Sequence, residues 1–285
     1  MSTDIVFHTL AALVYIALAT YLWQPLQAGQ VLAHRGRTAR IALLMGIVLQ
    51  GAALYASVLP NQQLHLSWVL ALSVAIWLGL IVFWLESIIV AIDGLQLLLL
   101  PFAAFICILA ALFPASYLIA HNSQPALRSH LLVALSAYGL ITIAALQSML
   151  MAATDHYLHN PKESARQSGP LHLAWSRMLF AQPSLMAQEQ LLFRIIWVAF
   201  IALTLAVLSG GLISLATTGK ILPFDHKTIF TLLSWVTFGV LLLGRHIRGW
   251  RGRIALRYTL LGFAFVVLSY SGSRFVIEFI LQRHR

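Results

Sequence analysis

The chain has 285 residues, of which 60% are apolar and only 9% charged, and its mean hydropathy is +0.87. A water-soluble domain carries about 25% charged residues, so this composition excludes one. The formal net charge of +10 would suit a nucleic-acid partner, but most cations sit in short breaks between apolar runs and form no basic face with interleaved aromatics. Membrane orientation accounts for them, and no nucleic-acid partner is expected.

Apolar stretches of about 18 residues or more can cross the hydrocarbon core. They predict an all-α polytopic membrane protein with eight transmembrane helices, near 5–23, 41–59, 66–86, 95–113, 129–152, 193–216, 228–244 and 258–281. Asp4 and no cation precede the first span. A cleavable signal needs a positive leading region, so this helix is expected to remain in the mature protein. Glu86 and Asp93 bracket Ser87 to Ile92, read as a tight turn between the third and fourth spans.

Orientation follows from the cations, which are retained in the cytoplasm during insertion. If 24–40 is inside, that side collects twelve: Arg35, Arg37, Arg40, Lys162, Arg166, Arg177, Arg194, Arg245, Arg248, Arg251, Arg253 and Arg257. The other side holds Arg128, Lys220, Lys227, Arg274, Arg283 and Arg285. The bias predicts a bacterial inner-membrane protein with both termini on the outer side. The long connection 153–192 is then cytoplasmic, a polar linker and a natural docking surface for a protein partner. Within it, Leu171 to Phe180 alternates apolar and cationic residues at helical spacing, which suits either an interfacial helix or an ordinary turn of helix. No repeat of fixed period occurs, so residues 1–285 are read as a single membrane domain.

Chemistry has few candidates. The single cysteine, Cys107, lies inside the fourth span, which rules out an internal disulfide and a C-x-x-C redox pair. No phosphate-binding loop and no H-E-x-x-H is present, and no enzymatic activity is expected. Gly210-Gly211 lies within a span, where close helix packing is the expected use.

Histidine is the unusual residue, eleven beside eighteen Lys and Arg and eight Asp and Glu. Neutral imidazole ligates haem iron and other transition metals. His130 opens the fifth span, just inside the membrane. It can be a satisfied polar contact or a ligand. His65, His121 and His226 fall on the same outer side near the ends of other spans. His34, His156, His159, His172 and His246 read as cytoplasmic loop composition, while His8 and His284 are undecided. Arg274 and Glu278 are four apart in the last span and share a helical face. They read as a local ion pair, or Arg274 as the partner of an anion such as a haem propionate.

The C-terminal third carries Leu232-Leu233-Ser234-Trp235-Val236-Thr237-Phe238, Leu242-Leu243-Gly244-Arg245, Gly249-Trp250-Arg251-Gly252-Arg253 and Tyr270-Ser271-Gly272-Ser273-Arg274. In these elements the chain resembles the cytochrome c assembly superfamily, which includes the CcsA, CcmC, HemX and YpjD proteins. Upstream, Pro183-Ser184-Leu185-Met186, Leu192-Phe193-Arg194, Leu203-Thr204-Leu205 and Leu208-Ser209-Gly210 agree with the YpjD and HemX branch. His130 followed by Ser136-Ala137-Tyr138 also fits the family pattern. The resemblance covers about residues 60 to 280. It implies haem b as cofactor and a role in haem binding or cytochrome c biogenesis.

Haem-handling members display a tryptophan-rich segment before the penultimate helix. Here Thr218 to Lys227 keeps Asp225 and Lys227 of its ending and has no tryptophan. His130 is expected as an axial haem ligand, with His226 as its partner and His121 next, because the fifth and seventh spans both run inward from the outer side. Arg274 completes the expected haem-binding set. The alternative is a haem-free scaffold or regulator, either HemX-like in acting on tetrapyrrole synthesis or a subunit of an ion-transport system. A transporter is a third reading, with few intramembrane acids behind it.

Overall fold

The computed structural model describes residues 3–27, 36–58, 65–89, 93–113, 117–118, 125–159, 175–179, 182–219 and 225–269. Its helices are α1 (Thr3–Gln27), α2 (Gly36–Val58), α3 (Trp68–Ile89), α4 (Asp93–Leu112), α5 (Pro125–His159), α6 (Leu185–Thr218), α7 (His226–Arg248) and α8 (Arg253–Val267). They correspond one to one with the eight expected spans. Six of them, α1, α2, α4, α5, α6 and α7, are long and apolar enough to cross a membrane. The apolar part of α3, Val69–Leu85, is shorter, and the expected last span, 258–281, reaches past the described residues. Leu13, Val48, Leu212 and Leu243 are each more than half exposed, as expected of side chains that meet lipid rather than water. The chain is an all-α polytopic membrane protein.

Two helices outrun the expected spans. With 35 and 34 residues, α5 and α6 are each about 50 Å long, against a hydrocarbon core of about 30 Å. Pro125 starts α5, where a missing N–H costs nothing. Ser184 precedes α6 and accepts the Ala187 N–H at 3.4 Å. The expected linker 153–192 is therefore helical at both ends. Residues 175–179 form a helical turn that buries Met178 and Leu179 and leaves Trp175 exposed, while 160–174 lie outside the described residues.

The chain forms two compact units, Met1–Ser123 with Met149–Gln188, and Gln124–Ser148 with Glu189–Arg285. In the first, α1 packs on α2 and α4, and α3 on α2 and α4. Its core is polar at one level: the Tyr15 hydroxyl donates to Gln50 Oε1 at 2.8 Å, and Gln50 Nε2 donates to the Ser73 carbonyl at 3.2 Å and to Ser73 Oγ at 3.1 Å. Apolar helices have no hydrophobic drive to associate within lipid, so such bonds set their register. The indoles of Trp77 and Trp84 donate to the carbonyls of Ile47 and Arg40, tying α3 to α2 again. A two-residue antiparallel pairing of β1 (His65–Leu66) with β2 (Tyr117–Leu118) joins the connections after α2 and α4. Hydropathy gives no signal for it.

In the second unit α7 packs on α8. Ser234 donates to the Gly262 carbonyl at 3.0 Å, and Thr231 and Ser269 bond at 2.8 Å. Trp235 reaches α6, donating to Thr204 Oγ1 at 2.9 Å and stacking on Phe200.

Candidate functional site

His130 lies one turn into α5, half-buried against α6. Its Nδ1 is 2.8 Å from Ser209 Oγ. Ser209 Oγ also lies 2.7 Å from the Leu205 carbonyl and 3.3 Å from that of Ala206. When the hydroxyl gives its proton to one of these carbonyls its oxygen accepts from the imidazole, and in that tautomer Nδ1 carries the ring proton and Nε2 a lone pair. Nε2 has no hydrogen-bond partner among the described residues. The next residue of α6, Gly210, makes room for the ring: a Cβ built there would stand 3.0 Å from His130 Cε1. Gly210 was expected to serve close packing, and here the packed group is an imidazole rather than a second backbone.

This donor set fits a haem iron. A metal-bound histidine almost always donates its other ring N–H to a fixed acceptor, which sets tautomer and orientation, and Ser209 stands where such an acceptor would for His130. Other metals need several protein donors, and no cluster of three or more His, Cys, Asp or Glu that could hold one exists among the described residues.

The other expected site residues divide. His226 is the first residue of α7 and is exposed. Its neighbour Lys227 interacts electrostatically with His130, so the first turn of α7 lies within charge range of the imidazole. No hydrogen bond joins His226 to His130 among the described residues. Asp225 caps α7, accepting the Thr228 N–H at 2.8 Å. Burial pushes its carboxyl up, but the bonds from Thr228 and the charge of Lys227 outweigh this and hold it below the ordinary value. His121, Arg274 and Glu278 lie outside the described residues.

Two polar features escaped the sequence reading. His8, left undecided, is 1% exposed in α1 with no partner on either ring nitrogen among the described residues. Glu189 sits at the start of α6, almost fully buried. It pairs with Arg245 and accepts the Gly252 N–H at 3.1 Å. Arg245 also donates to the Trp250 carbonyl and lies 4.4 Å from the Phe193 ring centroid. The Gly-Trp-Arg-Gly-Arg element is thus the turn between α7 and α8, built around one carboxylate. Gly249 (φ 64, left-handed helical) and Gly252 (φ 55) supply the positive-φ conformations that reverse the chain, which side chains other than hydrogen disfavour. The signal was there in outline, since Glu189 is one of only eight acids and precedes a span.

Residues 6–281 match the model of the family described as cytochrome C assembly protein. The chain is 29% identical over 252 residues to the inner membrane protein YpjD of Escherichia coli K12, covering 86% of this chain and 88% of that protein. It is 26% identical over 194 residues to the cytochrome c biogenesis protein CcsA of Prochlorococcus marinus (strain MIT 9515), covering 64% of this chain and 60% of that one. The family match extends the resemblance toward the N-terminus, through α1 and α2. With helices long and apolar enough to cross a membrane and a match over nearly its whole length, the chain belongs to the cytochrome c assembly family.

Proposed function

We propose that this chain is a haem-binding inner-membrane protein of cytochrome c biogenesis, acting as a binder rather than an enzyme, with His130 as an axial ligand. The observation that carries the reading is the His130 imidazole, its Nδ1 2.8 Å from Ser209 Oγ and its Nε2 without a hydrogen-bond partner among the described residues. Haem, when bound, would supply an iron that takes histidine ligands. His130 would be one of them, with Ser209 beside its ring, and His226, or after it His121, would be the other, while Arg274 would meet a propionate. The whole chain works as one membrane domain with both termini outside, and the cytoplasmic connection 153–192 meets a protein partner.

The test is the visible spectrum of the full chain purified in detergent. A Soret band is expected, lost in His130→Ala at equal protein and changed from low-spin in His226→Ala. Unchanged haem in both variants would rule the ligand pair out. A second reading, a haem-free scaffold or regulator, draws support from the segment Thr218 to Lys227, which has no tryptophan to present haem. A purified protein that takes up no haem on titration, while a partner is lost with the cytoplasmic connection, would favour it.

A further inference from the structure

The turn between α7 and α8 holds more positive charge than its acid neutralises. Residues 245–257 contain Arg245, His246, Arg248, Arg251, Arg253 and Arg257 and no Asp or Glu. Glu189 is committed to the turn itself: one oxygen takes Arg245 and lies 3.8 Å from Arg251 Nε, and the other takes the Gly252 N–H. Arg248, Arg251 and Arg257 remain exposed. Apolar groups are exposed beside them, with Ile247 at 68% and Leu243 at 58% on α7, and Ile254 at 42% on α8. A soluble anion or an acidic protein segment would answer the charge and leave these side chains uncovered. A phospholipid answers both, because its acyl chains lie along the apolar face of α7 while its phosphate sits level with the helix ends.

We propose that this turn binds a phospholipid of net negative headgroup, such as phosphatidylglycerol, whose phosphate lies among Arg248, Arg251 and Arg257. The guanidinium fork matches phosphate oxygens in pairs, which an ammonium cannot do. The site does not depend on the haem reading.

The experiment is native mass spectrometry of the full chain released from micelles with equal phosphatidylglycerol and phosphatidylcholine of matched acyl chains. Phosphatidylglycerol should be retained in preference, and the variant R248Q/R251Q/R257Q should weaken its binding about fivefold per arginine removed, with phosphatidylcholine unaffected. R248K/R251K/R257K should fall between, since it keeps charge and loses the fork. Equal retention of the two lipids, or unchanged retention in the glutamine variant, overturns the proposal. So does displacement by inorganic phosphate with no preference between lipids, which would mark a free-anion site. Should the triple variant fail to fold, R257Q and the salt dependence of the wild-type chain serve instead, and binding indifferent to both overturns the proposal.

Discussion

At His130 the decisive neighbours are two consecutive residues of α6. Ser209 holds the ring by a hydrogen bond at Nδ1 and Gly210 leaves space for it. Loss of such a supporting partner typically costs 10–100-fold in metal affinity, so Ser209→Ala is expected to weaken haem binding by about tenfold or more, read by titrating apoprotein with haem. Gly210→Ala should do so by displacing the imidazole, with a shifted Soret maximum that Ser209→Thr, which keeps the hydroxyl, does not share. Wild-type affinity in both alanine variants would mean His130 carries no iron. A second prediction concerns Asp225, whose carboxyl is held below its ordinary value in the folded chain. A group depressed in this way stabilises the fold above its unfolded pKa of about 4, and the contribution is lost as pH falls through the folded value. Asp225→Ala should cost about 1 kcal/mol near neutral pH and little in strong acid. Thermal unfolding in detergent across that range measures it, and a cost independent of pH would contradict the assignment.

Among the elements, the turn around Glu189 is the most exposed to single changes. Removing one partner of a buried ion pair typically costs about 3–5 kcal/mol, because the other charge is left behind. Glu189→Ala is therefore expected to loosen the α7–α8 turn strongly, and Glu189→Ala with Arg245→Leu to cost less than the sum. Denaturant titration of the single and double variants checks this, and additivity would show that the two side chains act independently. The existence and order of all eight helices were legible because an apolar run of membrane length has few other uses. The ends of α5 and α6 were not. Hydropathy measures the length embedded in lipid, whereas Gln188, Glu189 and Gln190, or Thr154 and Asp155, continue a helix while ending the apolar run. His130 stood out by type and position. Its partner lies 79 residues away, and Ser209-Gly210, though visible as a motif, carried no sign that it faced a histidine.

For the molecule as a whole, the cation count gives a topology that reporter fusions can check. A reporter active only outside the cytoplasm should be active after Gln63 or Arg285 and silent after Arg166 or Arg253. The reverse pattern would overturn the eight-span orientation. The polar level within the first unit also bears on how the chain is made. Synthesis delivers the N-terminus first, so Gln50 reaches the bilayer with α2 ahead of α3. Tyr15, already in place on α1, can satisfy its carbonyl at once. Its amide hydrogens find no acceptor until Ser73 arrives, and an unsatisfied polar group in hydrocarbon costs several kcal/mol. The first helical hairpin is thus an unfinished piece, expected to stay out of free lipid until the third helix joins it. Gln50→Leu would let the pair settle early, at the cost of the bond that tells α3 where to stop.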